Sequence, residues 1–360
     1  MSETILITGS SGLIGYPLSQ RLADQFGVVG LDRQGPPHPP PNVDCVSVDL
    51  TSDESVQDGL TYVRERYGDT LASVLHLAAY YDFSGEPSRK YDEITVKGTQ
   101  RLLRALQAFR VEQFIFSSTM LVHAPCEPGQ RINEDWPLEP KWAYPKSKVE
   151  TETLIRAERG SLPVVLLRIA GVYNDRCHSI PLAHQIQRIY ERKLVSHVFP
   201  GHIAHGQSFL HLDDLIEAFV LLIKRRAQLP SELPLLVGEA ETLTYDELQH
   251  QFGRLNHGEE WDTREIPKTV AKAGAWLQDA MPGEEPFIKP WMINLADDHY
   301  VLDITRAHDL LGWRPKRSLR ETLPLMISAL NEDPLGWYRE HKLEPPSRLA
   351  QGPQTRTEER

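Results

Sequence analysis

Tyr144 and Lys148 stand four residues apart in the run Tyr144-Pro145-Lys146-Ser147-Lys148. On a helix that spacing puts a phenol and an ammonium on one face, one turn apart. A free tyrosine titrates near ~10 and is a poor acid or base at neutral pH. An ammonium fixed beside it favours the phenolate and brings the group towards the working range. The same spacing is common on solvated helix faces, so its meaning depends on what precedes it.

Upstream, the apolar run Ile5-Leu6-Ile7 leads into Thr8-Gly9-Ser10-Ser11-Gly12-Leu13-Ile14-Gly15. Leu18, Leu22 and Phe26 follow with helical spacing. The order predicts a strand, a glycine-rich turn and a helix. Gly9 then permits the tight turn, Gly12 the approach of a pyrophosphate, and Gly15 close helix–strand packing. Ser11, Leu13 and Ile14 complete the turn, and the helix N-terminus offers unpaired N–H groups to phosphates. The next strand, Val28-Val29-Gly30-Leu31, ends in Asp32, at about the ~20-residue distance of a ribose-binding acid. A carboxylate there accepts from ribose hydroxyls and repels a 2′-phosphate. NAD is therefore expected over NADP, with the adjacent Arg33 as the one group arguing the other way.

Glycines spaced G-x-x-G-x-x-G with Y-x-x-x-K downstream resemble the short-chain dehydrogenase/reductase superfamily. Length and later motifs are similar to its extended branch, the NAD-dependent epimerase/dehydratase family, from about residue 4 to about residue 330. The resemblance implies that Asp49-Leu50 meets the adenine and that Leu77-Ala78-Ala79, after His76, lines the cofactor. It implies that Phe114-Ile115-Phe116-Ser117-Ser118-Thr119 ends in hydroxyls at the catalytic Ser/Thr position. Ser117 and Ile169 join the expected cofactor contacts. Phe209-Leu210-His211-Leu212-Asp213-Asp214 and Leu310-Leu311-Gly312-Trp313-Arg314-Pro315 resemble later landmarks of the family.

The expected chemistry joins Thr119, Tyr144 and Lys148. Tyr144 takes or gives the proton of a secondary alcohol while hydride passes between its carbon and the nicotinamide. Lys148 lowers the tyrosine pKa and, by resemblance, holds the nicotinamide ribose. Thr119 donates to the substrate oxygen, with Ser118 as rival for that role.

Departures from the family pattern narrow the reaction. Met120 and Leu121 stand where its dehydratases carry Asp-Glu and its sugar decarboxylases a glutamate, so both chemistries are disfavoured. Gly171, Gln207 and Thr95 replace an Asn, an Arg and an Asn usual in nucleotide-sugar members. A nucleotide-linked sugar then requires other cations, such as Arg176, Arg188 or Arg306. The leading expectation is an NAD-dependent oxidoreductase or epimerase of a sugar or nucleotide-sugar-like substrate. The alternatives are a dehydrogenase or ketoreductase of a sterol-like or lipid alcohol, and a non-catalytic NAD-binding regulator. Tyr80, Tyr81, His123 and His178 are candidate substrate contacts or loop packing.

The elements that must position these groups follow a βα alternation to about Val172. The expected fold is α/β, a Rossmann-like doubly wound parallel sheet with a smaller C-terminal substrate-binding lobe. Residues 1–175 form the NAD-binding domain, to which 207–240 return; 176–206 and 241–335 form the lobe; 344–360 form a disordered tail. Proline-rich residues 35–41 read as a stiff surface connection. Residues 90–109 and 142–159 read as helices flanking the sheet. By resemblance these helices pair across a two-fold axis in a homodimer that buries apolar positions such as Leu102, Leu106 and Leu154; the alternative is that these leucines face the sheet of their own subunit, as some must, and spacing alone does not separate the two faces.

The chain has 360 residues and a net charge of -11, from 39 basic and 50 acidic side chains. That balance argues against nucleic acid or an anionic membrane as partner and leaves a small-molecule substrate. Cys45, Cys126 and Cys177 are odd in number and widely spaced, and the first strand begins almost at the N-terminus; a cytoplasmic protein is expected. Six histidines between His178 and His211 match no zinc spacing, so no metal is expected.

Overall fold

The computed structural model describes residues 3–33, 39–82, 85–279 and 290–350. It divides into two compact units, the first comprising residues 1–170, 212–240 and 300–316 and the second residues 171–211, 241–299 and 317–360.

The first unit is built on a seven-stranded sheet. In chain order its strands are β1 (Thr4–Thr8), β2 (Gly27–Asp32), β3 (Val43–Ser47), β4 (Ser73–His76), β5 (Phe114–Thr119), β6 (Val164–Ile169) and β7 (Glu232–Val237). Their spatial order is β7-β6-β5-β4-β1-β2-β3, and every pairing is parallel. The strand order reverses beside β1, between β1 and β4, which makes a crevice at the carboxyl ends of the strands, where α/β sheets bind ligands. All residues of β1, β4, β5 and β6 are buried. Apolar runs such as Ile5-Leu6-Ile7 and Val164-Val165-Leu166-Leu167 are what a parallel strand covered on both faces requires.

Helices α1 (Gly15–Ala23), α2 (Asp53–Tyr67), α3 (Lys97–Leu106), α4 (Ala143–Glu158), α5 (Leu212–Arg225) and α6 (Thr305–Leu311) belong to the same unit. Ser52 caps α2 by accepting from the Ser55 N–H, and Gly68 ends it at φ +87°. The helix expected at 90–109 opens instead as a π-helical turn, Tyr91–Val96, before α3.

The pairing face expected of α3 is corrected. Leu102 and Leu106 are buried in the unit's own core with Val63, Leu71, Phe114 and Ile155. The expected apolar stripe is thus spent on the chain itself; the helix face follows the sheet because that is where its partner surface lies. On the other side Arg104 of α3 reaches Glu158 of α4 at 3.2 Å.

The two late landmarks hold each other. The Trp313 indole N–H donates to the Asp214 carbonyl at 3.0 Å, and the Lys316 N–H donates to the Asp214 carboxylate at 3.0 Å.

The second unit has its own core, including Tyr173, Ile186, Phe252, Trp261, Leu323 and Trp337. Its helix Tyr245–His257 opens with the expected capping box between Thr244 and Glu247. The tail expected to be disordered from 344 instead holds a helical turn, Ser347–Ala350, with Leu349 packed on this core. Residues 351–360 of that tail, and 34–38 of the proline-rich connection, lie outside the described residues. Among the described residues no helix is long and apolar enough to cross a membrane.

Candidate active site

The glycine turn is held by its own backbone. The Gly12 N–H donates to the Gly9 carbonyl at 3.1 Å, and the Gly9 N–H to the Leu31 carbonyl at 2.9 Å. Gly9 has φ +72°, and a Cβ there would stand 2.9 Å from the Ala78 nitrogen; a Cβ on Gly15 would run into the Gly9 carbonyl oxygen. The fold itself demands glycine at both positions. Gly12 differs: a Cβ there meets only the Gly9 oxygen, at 3.3 Å. Its open side is room that the chain leaves unfilled, as a backbone approached by a pyrophosphate requires.

Asp32 ends β2 beside this turn. One carboxylate oxygen accepts from the Ser11 N–H at 2.9 Å and the other from the Arg33 N–H at 2.7 Å. The Arg33 side chain is exposed, and its charge helps hold Asp49 below the usual carboxylate range. The larger cause there is Thr51, whose N–H and hydroxyl both donate to the same Asp49 oxygen at 2.8 Å. Leu50 is buried next to Asp49. A glycine cradle with open room, a helix N-terminus and an acid at the end of β2 fit a dinucleotide with free ribose hydroxyls.

Leu77, Ala78 and Ala79 leave the end of β4 half-buried, fixed by Thr8. The Leu77 N–H donates to the Thr8 carbonyl and the Ala78 N–H to its hydroxyl, both at 3.2 Å. Thr8 Oγ1 lies 2.7 Å from His76 Nδ1, and His76 Nε2 lies 2.9 Å from Thr99 Oγ1. Because the Thr99 hydroxyl already donates to the Thr95 carbonyl, it accepts from Nε2–H, which leaves Nδ1 as the acceptor. Complete burial pushes His76 down to about 3, so it is a neutral tie between β1, β4 and α3. Thr95, standing in place of the family's Asn, accepts from the Tyr80 N–H at 3.0 Å and so anchors the segment after β4.

The three candidate catalytic residues come together at the end of β5 and the start of α4. Pro145 lies in the first turn of α4, where its missing N–H breaks no helical bond. Tyr144 hydrogen-bonds the Thr119 side chain, and Thr119 pairs in register with Ile169 of β6. Lys148, 2 % exposed, donates to the Ser117 carbonyl at 2.6 Å and lies 4.7 Å from the Phe116 ring centroid and 5.7 Å from that of Tyr144.

The structure decides between the two hydroxyls. Ser118 turns away and donates to Glu152 at 2.6 Å. Ser117 Oγ donates to the His76 carbonyl at 3.1 Å.

Burial pushes the Tyr144 phenol above its ordinary value, with Thr119 as the opposing influence. Burial also pushes Lys148 down to about 7, against the pull of Glu152. The ammonium is spent on the Ser117 carbonyl and stands over ring faces. At neutral pH the phenol therefore holds its proton and is set to donate it, beside a lysine that titrates near neutrality.

Two rings frame Tyr144. Tyr81, 47 % exposed, stands edge-on at 4.8 Å between centroids, and Trp142, which precedes α4, lies at 5.5 Å. Sequence reasoning missed Trp142, although its place two residues before Tyr144 was the available signal. His123 is a packing residue: fully buried, with Nδ1 3.0 Å from the Trp136 carbonyl and Nε2 3.1 Å from Arg168. Of the cations considered for substrate phosphates, Arg306 is held by Asp135 at 2.7 Å and, in the second unit, Arg176 by Glu340 at 2.7 Å. His178 also lies in the second unit, 2.9 Å from Glu340. Among the described residues no three His, Cys, Asp or Glu side chains gather as a metal site would need.

Residues 5–238 match the model of the NAD dependent epimerase/dehydratase family. A UDP-glucose 4-epimerase of Streptomyces lividans is 25 % identical over 342 residues, covering 88 % of this chain and 93 % of that protein. A decarboxylating sterol-4-alpha-carboxylate 3-dehydrogenase of Saccharomyces cerevisiae is 21 % identical over 359 residues, 92 % and 98 % of the two chains. The solved UDP-glucose 4-epimerase of Thermus thermophilus, complexed with NAD, shares the fold at a TM-score of 0.68 and 23 % identity, over 92 % of this chain and 99 % of that one. With the glycine turn, Asp32 and the Thr119–Tyr144–Lys148 set arranged around one parallel sheet, the chain belongs to the NAD-dependent epimerase/dehydratase family.

Proposed function

We propose that this protein is an oxidoreductase or epimerase acting by hydride transfer at a secondary alcohol carbon of a sugar or nucleotide-sugar-like substrate. The observation that carries this reading is the Tyr144 phenol bonded to Thr119, with Lys148 one turn on, at the carboxyl end of β5. NAD, when bound, supplies the hydride acceptor or donor. Gly9, Ser11, Gly12, Leu13, Ile14 and Gly15 would hold its pyrophosphate and Asp32 its ribose. Tyr144 exchanges the proton of the substrate hydroxyl. Thr119 orients that oxygen, and Lys148 places positive charge beneath the phenol ring as negative charge develops on its oxygen. Met120 is buried and apolar, and Leu121 has no proton to move, so this stretch supplies no additional acid–base group for dehydration or decarboxylation.

The test is a thermal-shift screen of UDP-glucose, other nucleotide sugars and simple secondary alcohols in the presence of NAD. A nucleotide sugar should raise Tm further than NAD alone; a response to alcohols only would redirect the reading to a non-nucleotide dehydrogenase. NAD should bind more tightly than NADP by calorimetry, and Asp32→Ala should narrow the difference. Equal or tighter NADP binding would mean that Arg33 captures the 2′-phosphate.

Pairing of α3 and α4 in a homodimer rests on the family resemblance, now with Leu154 and polar side chains as the outer surface. Light scattering at micromolar concentration should read twice the chain mass, and a monomer would end that proposal. Three free thiols support a reducing, cytoplasmic setting, which fractionation of the native host would test.

A further inference from the structure

Behind Thr119 and Lys148 lies a buried ionic network that the proposed reaction does not itself use. Glu152 follows Lys148 by four residues, as Lys148 follows Tyr144, so all three share one face of α4. Its carboxylate is fully buried. One oxygen accepts from Ser118 Oγ at 2.6 Å and from Arg168 Nε at 3.1 Å; the other accepts from Arg168 Nη2 at 2.7 Å. Arg156 approaches the second oxygen at 3.5 Å. Arg168, 2 % exposed on β6, extends Nη1 to His123 Nε2 at 3.1 Å and to the Glu134 carbonyl at 2.9 Å.

A buried ion pair of this kind is weak evidence for stability, because desolvation offsets much of its attraction. Its geometry has another consequence. The last three residues of β5 each grip α4: the Ser117 carbonyl takes Lys148, Ser118 Oγ takes Glu152, and Thr119 takes Tyr144. The middle grip is anchored to β6 as well, through Arg168.

We propose that Glu152 is a positioning residue for the hydride-transfer site. Seated on Arg168 and Ser118, it fixes the register of α4 on β5 that brings Tyr144 to Thr119 and sets a carboxylate one helical turn from Lys148. The proposal rests on the reading of Thr119, Tyr144 and Lys148 as the reacting set. The groups that face Lys148 are Tyr144 and Glu152 on α4, the neutral His76 on β4, and the Ser117 carbonyl and Phe116 ring on β5. Around Glu152 stand Arg156 on α4, Arg168 on β6 and, beyond it, the neutral His123. Glu152 is the negative charge in this set, and its pull on Lys148 opposes the effect of burial.

The experiment reads Lys148 directly, without substrate. In protein labelled with ¹³Cε-lysine, the Lys148 resonance is assigned by its loss in Lys148→Met, and its titration midpoint is followed by NMR. Glu152→Gln should lower that midpoint by about one pH unit or more, since a neighbouring opposite charge is lost. Because Glu152→Gln leaves Arg168 buried and unpaired, the paired Glu152→Met, Arg168→Met variant serves as the control that keeps an apolar, neutral core. It should fold and shift the midpoint in the same direction. With UDP-glucose and NAD as the probe, its kcat should fall about tenfold with KM held, since the reacting groups are misplaced rather than removed. An unchanged midpoint in the folded paired variant, or an unchanged kcat, overturns the inference. A shifted midpoint combined with an active Tyr144→Phe enzyme would instead overturn the assignment of Tyr144 and leave the charge effect of Glu152 intact.

Discussion

Tyr144→Phe should lower turnover by about 10²–10⁴-fold, the range by which a positioned general acid or base accelerates a reaction. NAD binding should persist. The reason is that phenylalanine keeps the ring against Tyr81 and Trp142, 4.8 and 5.5 Å away, and loses only the hydroxyl that meets Thr119. Steady-state kinetics on a substrate found by the screen, with calorimetric titration of NAD as the control for folding, would decide it. Near-normal turnover would remove Tyr144 from the chemistry. Thr119→Val, which keeps shape without the hydroxyl, should produce a smaller loss of the same kind.

Lys148→Met should separate function from stability. Turnover and NAD affinity both fall, because the variant loses the charge beneath the phenol and the group expected to hold the nicotinamide ribose. Stability moves the other way. Burial lowers Lys148 from 10.5 to about 7. Below pH ~7 both the folded and the unfolded chain carry this proton, and the folded chain bears the full cost of the buried charge. Between pH ~7 and ~10.5 the unfolded chain binds more protons than the folded one, so wild-type stability rises with pH through that window. The full difference corresponds to at most about 5 kcal/mol, less about 1 kcal/mol for the Ser117 carbonyl that loses its donor. Lys148→Met should therefore be more stable than wild type at pH 6, by a few kcal/mol at most, with the advantage fading towards pH 10. Denaturant melts at both pH values would test this. A variant less stable at pH 6 would show that the Ser117 bond and the attraction of Glu152 outweigh desolvation.

Much of the first unit was legible because its signals are local. A glycine turn between an apolar run and an amphipathic segment constrains backbone conformation wherever it occurs, and Gly9 and Gly15 are needed by the fold itself. Asp32, Thr119 and Lys148 sit at strand ends and helix turns that their neighbours in sequence define. Misreadings arose where two segments had to meet. The apolar stripe of α3 was equally compatible with a partner subunit and with its own sheet, and only packing assigned Leu102 and Leu106 to the core. Trp142 gained meaning only when Tyr81, from a distant loop, arrived beside it against Tyr144.

The sequence alone determined the parallel α/β plan, the family, the place of the dinucleotide turn and the identity of the phenol–lysine pair. These depend on residue type and spacing within single elements, which the periodicities of helix and strand translate directly into position. The tertiary structure decided which hydroxyl faces Tyr144, what Ser118 does instead, and how His123, Glu152 and Arg168 are joined. It also set how far burial acts on the central pair. A pKa responds to how much water the whole fold removes and which charges it brings near, and at Tyr144 and Lys148 burial outweighs the four-residue spacing that first marked them.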